Sequence, residues 1–269
     1  MPPRVSVITG GSSGLGLALG HALAAGGDRV ILVARDAAKL EATVNSIAQE
    51  CGTNTVFCKV GDVAKNADIQ MVADQIALEH GGIDLWINSA GIMREGYFEN
   101  LTDNDFREVF DINLFGTINC VRAALPHIRK SKGQIVNIAS MAAHTGVFGY
   151  SAYCASKHAL KGFTESLYHE LHPQGITVQL ICPPEFESPM ATALDARRTP
   201  ENAAHTLMIP REPVDVIVRD TLRAIANGRY HTITGATAKV MGFAIQHFPL
   251  LARAIAQLKI RRVHKKSRG

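Results

Sequence analysis

The chain lacks most of the features that mark special classes of protein. Its 269 residues include five cysteines, which show neither CxxC spacing nor an even-numbered framework. No disulfide and no metal site is therefore predicted, and the thiols are expected to be reduced in the cytosol. No apolar run approaches the roughly 18 residues that a membrane-spanning helix needs. The N-terminal stretch MPPRVSVITGG has no charged region followed by an apolar one, so a cytoplasmic protein is expected.

An excess of charge of one sign is also missing, except at the C-terminus. The formal net charge is +4, but the last eleven residues, KIRRVHKKSRG, hold six of the 28 Lys and Arg residues and no acid. The other 258 residues keep 22 basic against 24 acidic side chains, so their surface is not expected to bind nucleic acid. The 46% hydrophobic and 19% charged composition is typical of a folded globular domain rather than a disordered chain.

Apolar strands alternate with amphipathic helices along most of the chain. Apolar runs rich in β-branched residues predict strands at 4–9, 29–34, 54–60, 84–91, 133–140, 176–184 and 230–235. Helical periodicity predicts helices at 15–27, 37–50, 65–80, 103–130, 152–172 and 213–227. Repeated βαβ units with buried strands build a parallel sheet that is covered on both faces. The predicted fold is therefore a single-domain, doubly wound α/β sheet of Rossmann type.

Two segments fall outside this alternation. Residues 185–212 show no regular period and are expected to form an irregular excursion above the carboxyl edge of the sheet, where such folds bind ligands. Residues 1–240 are assigned to the Rossmann-type domain, and residues 241–269 to an apolar and basic helical extension.

A glycine-rich turn joins the first strand to the first helix. In VITGGSSGLGLALG, Gly10, Gly14 and Gly16 have the spacing GxxxGxG. Residues without a Cβ let the backbone approach a pyrophosphate, which binds to free N–H groups at the helix N-terminus. The alternative, a turn that binds nothing, is disfavoured by the position of this motif in the first βαβ unit. The residues expected at the cofactor here are Gly10, Ser12, Ser13, Gly14, Leu15 and Gly16.

The end of the second strand indicates which cofactor is bound. A carboxylate there would accept a hydrogen bond from a ribose 2′-hydroxyl and repel a 2′-phosphate. This chain has Ala34 followed by Arg35, whose guanidinium matches a phosphate dianion. Asp36 would favour NAD(H) if it reached the ribose, but it also suits an N-cap of the next helix. The pattern favours NADP(H) over NAD(H).

Six motifs, in order, resemble those of the short-chain dehydrogenase/reductase family, and the resemblance covers residues 4–235. The motifs are TGGSSGLG, GDV at 61–63, NSAG at 88–91, NLFG at 113–116, and Ser140 followed by Tyr153-x-x-x-Lys157. Ser89 departs from the family's NNAG. The resemblance implies an NAD(P)-dependent oxidoreductase and a homodimer or homotetramer. The further cofactor contacts that it implies are Asp62 at the adenine, Val63 beside it, Asn88, Ala90, Gly91 and Pro183.

The chemistry of carbonyl reduction also calls for two of these groups, without any appeal to the family resemblance. Hydride delivery builds negative charge on the carbonyl oxygen, which a proton donor and a hydrogen-bond donor must stabilise. Tyr153 and Lys157 lie at i and i+4 on one helix face, so the ammonium is expected to lower the phenol pKa and to hold the ribose hydroxyls. Ser140, at a strand end, would bind the substrate oxygen. The resemblance implies that Asn113 holds a water that extends the proton path past Lys157.

A competing site can be drawn in the same stretch, GYSAYCASKHALKG. Cys154 and His158 are also four residues apart, but they lie one residue round the helix, about 100° away. A Cys/His nucleophile also needs an oxyanion hole and an orienting group, and the sequence shows neither. Both residues are therefore predicted to pack on the helix flank. Tyr150 is predicted to line the substrate entrance, and Lys161 to be solvated.

The substrate is suggested by the segment after the sixth strand. In CPPEFESPM, Pro184 replaces the glycine that is more usual in the family, and Ser188 is expected to supply the hydroxyl near the nicotinamide amide. This segment and residues 146–171 resemble the 3-ketodihydrosphingosine reductase branch, which implies a long-chain 3-keto lipid. Alternatives are a 3-oxoacyl thioester, a steroid or a small ketone. An alternative of another class is a non-catalytic NADP(H)-binding sensor, against which Ser140, Tyr153 and Lys157 argue.

The C-terminal extension has two interpretations that the sequence leaves open. Residues 241–260 are rich in Met, Phe, Ile and Leu, and Pro249 divides them into two short helices ahead of the basic cluster. An apolar face next to Lys and Arg is typical of a helix that lies in a membrane interface and binds anionic lipid. The same pattern suits a helix that packs on the protein body or on another subunit, followed by a solvated basic tail.

Overall fold

Seven parallel strands form one sheet, as the sequence predicts. The structure, a computed structural model, describes residues 2–267, with side chains described through Lys265. The strand order is β3-β2-β1-β4-β5-β6-β7, and all adjacent pairs are parallel. The strands are β1 (Val5–Thr9), β2 (Arg29–Ala34), β3 (Val56–Val60), β4 (Leu85–Asn88), β5 (Gln134–Ile138), β6 (Thr177–Cys182) and β7 (His231–Ile233).

Helices cover both faces of this sheet. They are α1 (Gly14–Ala25), α2 (Ala37–Cys51), α3 (Asn66–His80), α4 (Asp103–Phe110), α5 (Gly116–Ser131), α6 (Ser151–Leu171), α7 (Pro189–Asp195), α8 (Pro200–Thr206), α9 (Val214–Ala226), α10 (Ala236–His247) and α11 (Pro249–Ser267). Alternate residues of one strand face opposite layers. In β2, Leu32 packs in the cluster with α1, α2 and α9, whereas Ile31 packs in the cluster with α3, α5 and α6. The strands are therefore buried on both sides, which explains their near-continuous apolar sequences.

The strand order reverses beside β1. The chain runs outward from β1 through β2 to β3 and then returns to place β4 on the other side of β1. Connections at such a reversal diverge above and below the sheet and leave a crevice at the carboxyl ends of the strands. The predicted cofactor turn follows β1, so it lies at this crevice.

The helix predicted over 103–130 is interrupted in the structure. A π-helical turn, Asp111–Phe115, joins α4 to α5. A capping box starts α4, because the Thr102 hydroxyl accepts from the Asp105 N–H while the Asp105 carboxylate accepts from the Thr102 N–H. Such wide turns inside helices are rare and occur often at functional sites. The predicted site residue Asn113 lies in the middle of this one.

The prediction of an irregular segment over 185–212 was wrong in part, because α7 and α8 lie within it. Each helix begins with the same pair of residues: Ser188 caps α7 ahead of Pro189, and Thr199 caps α8 ahead of Pro200. An oxygen-bearing cap followed by proline at the first helical position favours helix initiation. The two helices form a cover above the strand ends.

The C-terminal extension packs against this cover. Pro249 starts α11, as the predicted division of the tail requires, and α11 packs along α8. His264 contacts the buried carboxylate of Glu201 at 2.8 Å, which ties the end of α11 to α8. No helix among the described residues is long and apolar enough to cross a membrane. The predicted boundary between residues 240 and 241 falls inside α10, and the division into two units stays a prediction.

Candidate functional site

A cavity of about 810 Å³ opens at the carboxyl ends of the strands. It extends from the start of α1, past the N-terminal part of α6, to the inner faces of α10 and α11. The cavity brings together ten of the predicted site residues: Gly10, Ser13, Gly14, Leu15, Ala90, Gly91, Ser140, Tyr153, Lys157 and Pro183. The residues predicted to bind the cofactor and those predicted to act on the substrate thus border one continuous space.

The glycine turn leaves room for a ligand because its backbone packs closely against Ser89 and Ala90, which follow β4. Gly10 has a φ of +68°, and a Cβ there would lie 2.9 Å from the backbone nitrogen of Ala90. Gly14, the first residue of α1, has a φ of +53°. The Ser13 hydroxyl makes no capping bond to α1, and the first turn of α1 contains no acid. Free N–H groups, a free hydroxyl and the absence of negative charge suit a pyrophosphate.

Thr9 is a site residue that the sequence predictions missed. Its buried hydroxyl oxygen accepts hydrogen bonds from the N–H groups of Ser89 at 3.2 Å and Ala90 at 3.3 Å. These bonds fix the strand end that forms the cavity floor against the glycine turn. The signal was a hydroxyl residue immediately before the glycines, but its partners lie 80 residues away in the sequence.

The Ser140, Tyr153 and Lys157 side chains meet at one wall of the cavity. The Lys157 ammonium donates to the Ile138 carbonyl at 3.0 Å and lies 5.7 Å from the centre of the Tyr153 ring. Ser140 follows β5, and its Oγ accepts from the Ala142 N–H at 3.1 Å, which leaves its own proton free to donate. The helix α6 places Tyr153 and Lys157 on one face, as their spacing predicts.

The expectation that Lys157 lowers the Tyr153 pKa was wrong for this structure. Burial raises the pKa of Tyr153 to about 12, although a hydrogen bond with the Ser140 side chain opposes the rise. Burial also lowers the pKa of Lys157 to about 8. Removal from water disfavours both charged forms and is the largest cause of each shift. The Tyr153 phenol is therefore neutral at physiological pH.

Asn113 is held rigidly behind Lys157. Its Oδ1 accepts from the Ile92 N–H at 2.8 Å, and its Nδ2 donates to the Ile92 carbonyl at 2.9 Å and to the Ser156 hydroxyl at 3.1 Å. A Cβ at Gly91 would lie 3.3 Å from Asn113 Oδ1, so a side chain at this position would press against the amide. Ser156, which the sequence predictions missed, bonds in turn to the Tyr153 carbonyl at 2.8 Å. The water-holding role of Asn113 stays a prediction.

Asn88 lies beneath the cavity rather than in its wall. Its side chain accepts from Trp86 Nε1 at 2.8 Å and donates to Asn137 Oδ1 at 2.8 Å, and Asn137 donates to the Thr164 hydroxyl at 3.0 Å. This buried network links β4, β5 and α6, which positions the wall that carries Tyr153. The Asn88 side chain makes both of these hydrogen bonds in the interior, and a cofactor contact at this position stays a prediction.

The remaining predicted cofactor residues lie outside the cavity walls. They are Ser12, Gly16, Arg35, Asp62 and Val63. Arg35 is exposed directly after β2 and forms no ion pair with any residue that the structure describes. The Asp36 carboxylate accepts from the Lys39 N–H at 3.0 Å, so it caps α2 as the alternative interpretation expected. Their contacts with a cofactor stay predictions.

Cys154 and His158 are not arranged as a nucleophile and base. Cys154 is buried, and burial raises its pKa to about 11. His158 Nδ1 contacts the Cys154 carbonyl oxygen at 2.8 Å, which is a contact to the backbone of the preceding helical turn. The thiol therefore lacks an activating partner, and the packing interpretation agrees with the structure.

An ion cluster that the sequence predictions missed holds the cover in place. Glu185 Oε1 accepts from Arg198 Nη2 at 2.6 Å and from Arg211 Nε at 2.5 Å. Arg211 also pairs with Asp195 at the end of α7. The Arg198 side chain is only 6% exposed, so its charge depends on these partners. Ser188 borders the cavity, but its hydroxyl accepts from the Ala191 N–H at 3.2 Å as the α7 cap.

The far part of the cavity is largely apolar and is bordered by the C-terminal extension. Its apolar walls there are Met208, Ile209, Met241, Ile245, Phe248, Leu251, Ile255 and Ile260, and Arg253, Gln257 and Lys259 of α11 also border it. Tyr150 lines the same space, as predicted, and its ring packs edge-on against Tyr153 at 6.1 Å. Six of the apolar residues predicted for an interfacial helix (Met241, Ile245, Phe248, Leu251, Ile255 and Ile260) therefore face the cavity.

Two curated relatives show how the sequence compares along its length. A fatty acyl-CoA reductase of Acinetobacter baylyi is 32% identical over 268 residues, which cover 94% of this chain and 88% of that protein. A 3-dehydrosphinganine reductase of Danio rerio is 33% identical over 187 residues, which cover 68% of this chain and 56% of that protein.

Solved structures and a family model agree with the architecture. An actinorhodin polyketide ketoreductase variant with NADPH has a TM-score of 0.79 at 27% identity, covering 86% of this chain and 95% of that chain. A short-chain dehydrogenase/reductase from Burkholderia phymatum in complex with NAD has a TM-score of 0.81 at 27% identity, covering 93% and 95%. The model of the family described as short chain dehydrogenase matches residues 4–199. The chain is therefore a member of the short-chain dehydrogenase/reductase family of oxidoreductases, which act on CH–OH and keto groups.

Proposed function

We propose that the protein is an NADPH-dependent ketone reductase, or the reverse alcohol dehydrogenase, whose substrate is a long-chain 3-keto lipid similar to 3-ketosphinganine. The observation that carries the proposal is the continuity of the cavity. One end holds Ser140, Tyr153 and Lys157, and the other end is a corridor of mainly apolar side chains between the cover and α11. A ketone close to one end of a long alkyl chain fits both parts.

The residues at the polar end divide the work of the reaction. A bound nicotinamide supplies the hydride for reduction and accepts it in the reverse direction. The Ser140 hydroxyl donates to the substrate oxygen and orients it toward Tyr153. The Tyr153 phenol, neutral because burial raises its pKa, transfers its proton to the oxygen as negative charge develops there. The Lys157 ammonium, one helical turn away, stabilises the phenolate left behind.

The choice of NADP(H) rests on the groups after β2. The Asp36 carboxylate is used to cap α2, whereas the Arg35 guanidinium is exposed and has no ion-pair partner among the described residues. A free guanidinium at this place attracts a 2′-phosphate. The two structural neighbours bind NADPH and NAD respectively, so they do not decide between the cofactors.

The substrate class rests on the corridor, with support from relatives. The mainly apolar walls favour a long alkyl chain over a small ketone, because burial of each methylene contributes about 0.8 kcal/mol. The relatives named 3-dehydrosphinganine reductase and fatty acyl-CoA reductase are named for substrates with long chains. A long-chain 3-oxoacyl thioester fits the same corridor and is the second candidate.

The outer face of the extension suits a membrane surface on the cytoplasmic side. Apolar side chains that do not line the cavity are exposed on α10 and α11: Val240, Phe243, Leu250 and Leu258. Cations lie on the same helix: Arg261, Arg262 and Lys265 do not line the cavity, whereas Arg253 and Lys259 border it. Arg268 lies outside the described residues, and so does the side chain of Lys266. An interfacial helix with this composition binds anionic lipid, from which a lipid substrate could enter the corridor.

Self-association is proposed through α4, α5 and α6. Phe115, the last residue of the π-helical turn between α4 and α5, is 52% exposed. An exposed aromatic side chain on a helical face is a common anchor for a second subunit. Light scattering of the full chain should give a dimer or tetramer, and Phe115→Asp should shift it toward the monomer.

The function is tested by measuring NADPH oxidation with a panel of ketones. The panel contains 3-ketosphinganine, a long-chain 3-oxoacyl thioester, a steroid ketone and a short ketone, and 3-ketosphinganine is expected to give the highest kcat/KM. Tyr153→Phe should lower turnover roughly 10²–10⁴-fold and leave NADPH binding intact. Tyr168→Phe, on the same helix but away from the cavity, is the matched control. NADPH binding without turnover of any ketone would instead support a sensor.

A further inference from the structure

Three side chains that could bind a metal ion lie close together beside the turn Met141–Ala143. They are His144, just after the turn that Ser140 begins, Cys182 at the end of β6, and His231 at the start of β7. The ligand atoms of these three side chains all lie within 4.8 Å of one another. They come from positions 38 and 49 residues apart, which explains why the cysteine spacing in the sequence gave no sign of a metal site.

The two imidazoles are already close to the separation that a shared metal ion imposes. His144 Nε2 and His231 Nε2 are 3.1 Å apart. Zn²⁺ binds histidine nitrogen at about 2.0–2.1 Å, so two nitrogens on a tetrahedral ion lie roughly 3.3 Å from each other. All three ligand atoms lie within 4.8 Å of one another, and a side-chain rotation of the half-buried histidines would bring their nitrogens closer to the Cys182 sulfur. Adjacent parallel strands hold two of the three ligands on a rigid support.

The surroundings of the cluster resemble the outer shell of a metal site. The Gln246 amide nitrogen lies 3.4 Å from His144 Nδ1, the ring nitrogen that carries the proton when a metal binds Nε2, so the amide must turn its oxygen toward Nδ1 to accept that proton. A partner at that nitrogen fixes the ring orientation of a metal-bound histidine. The backbone N–H of Ser140 interacts with the Cys182 sulfur, which favours the thiolate that a metal requires.

We propose that His144, Cys182 and His231 form a binding site for a thiolate-preferring divalent metal ion, for which Zn²⁺ is the probe. Thiolate and imidazole are ligands that suit Zn²⁺ rather than Mg²⁺ or Ca²⁺. The histidines are half-buried, so a water molecule can complete a tetrahedral set. On binding, the Cys182 thiol loses its proton to solvent and a Zn–S bond forms. The proton that lies between the two imidazoles moves to Nδ1 of its own ring and stays on the protein. The one proton released for each ion is therefore that of the Cys182 thiol.

Proton release follows from the protonation states of the free ligands. Burial lowers the pKa of His144 to about 4 and lowers that of His231 as well, so both rings are neutral at pH 7. Burial raises the pKa of Cys182 to about 12, so it is the group that must ionise. Lys161 opposes binding, because its charge is close enough to lower the pKa of both histidines. His158 also faces His144 and opposes binding when it is protonated.

The site would act on the reductase through Ser140. The sulfur that binds the metal is the same one that the Ser140 backbone N–H contacts. Movement of Cys182 toward an ion shifts the turn that carries the substrate-binding hydroxyl. Zn²⁺ is therefore expected to inhibit turnover, in proportion to the occupancy of the site.

The experiment titrates Zn²⁺ into the full, tag-free chain after treatment with a chelator, and follows heat and proton release in two buffers. One ion per chain and about one proton per ion are expected at pH 7. With Co²⁺, the same site should give the charge-transfer absorption of a sulfur–cobalt bond. His144→Ala should weaken Zn²⁺ binding at least about tenfold, and Cys182→Ala should also abolish the absorption band.

Two further variants separate this site from binding elsewhere. Lys161→Gln should tighten Zn²⁺ binding by about fivefold, because it removes a like charge, and a misfolded variant cannot produce that gain. Cys58→Ser, which removes a partly exposed thiol on β3, should change nothing. The proposal is overturned by binding that His144→Ala and Cys182→Ala leave unchanged, by an absorption band that survives Cys182→Ala, or by no binding at all.

Discussion

The ammonium nitrogen of Lys157 lies 5.7 Å from the centre of the Tyr153 ring, one helical turn along α6. Both side chains are buried, and no carboxylate forms an ion pair with Lys157 within the part of the chain that the structure describes. Among the described residues, the Lys157 ammonium donates a hydrogen bond to the Ile138 carbonyl and has no anionic partner. The pair therefore holds a neutral acid next to a cation that loses its proton easily, which determines how the reaction should depend on pH.

Ketone reduction should fall above about pH 8 because Lys157 loses its charge there. Its pKa is lowered to about 8, so the ammonium is present below that pH and lost above it. Tyr153, with a pKa of about 12, stays protonated throughout this range. The measurement is kcat/KM for NADPH at saturating ketone, which reports the free enzyme and should fall up to tenfold per pH unit. His158→Gln should show the same fall, and a profile that stays level to pH 10 would contradict the role of Lys157.

The helical phase of α6 was readable from the sequence, but the pKa values were not. Spacing of four residues suffices to place Tyr153 and Lys157 on one face and to turn Cys154 away, because helix geometry is local. The direction of the pKa shifts depends on how much water the surrounding elements exclude. That exclusion arises from tertiary packing, which includes the buried amides of Asn113 and Asn137.

The sheet was predicted well, and the cover was not. Continuous apolar runs indicate buried parallel strands, so strand ranges followed from composition. For α7 and α8 the helix signal was also present, since Ser188-Pro189 and Thr199-Pro200 are both cap-proline pairs. With seven residues each, α7 and α8 are too short for an amphipathic period to be recognised in the sequence. The contact between His264 and Glu201 spans 63 residues, and no local pattern predicts it.

Arg35→Glu should change the cofactor preference. A carboxylate after β2 would repel the 2′-phosphate and accept from the 2′-hydroxyl. The Kd for NADPH is expected to rise at least about tenfold, while the Kd for NADH stays level or falls. Fluorescence titration of both cofactors measures these values. Lys39→Glu, a charge reversal nearby on α2, is the control for a general effect of charge, and equal losses for both cofactors would contradict the phosphate contact.

Glu185→Gln should loosen the cover over the cavity. The substitution removes the charge that Arg198 and Arg211 share, and Arg198 is nearly fully buried. Arg198 and Arg211 keep their contacts with Asp195, so the expected loss is smaller than the roughly 3–5 kcal/mol of a fully unpaired buried charge, but the melting temperature should still drop and the KM for the ketone should rise. NADPH affinity should change little, because the carboxylate lies on the substrate side. Asp195→Asn, at a 46% exposed partner, should have a much smaller effect. Equal effects of both variants would show that the cover does not depend on Glu185.

Replacement of exposed leucines on the outer face of α11 by glutamate should abolish membrane binding and leave catalysis intact. Leu250 is 78% exposed, and neither it nor Leu258 lines the cavity. The double variant Leu250→Glu, Leu258→Glu should therefore lose binding to vesicles of phosphatidylserine and phosphatidylcholine, while it keeps the kcat/KM for a short ketone. Leu78→Glu, at an 86% exposed leucine on α3, is the matched control and should bind like the parent chain. Because the attraction to anionic lipid is electrostatic, added salt or pure phosphatidylcholine should weaken binding of the parent chain. If the parent chain does not sediment with anionic vesicles, α11 serves only to line the cavity, and its exposed leucines must then be covered by another protein surface.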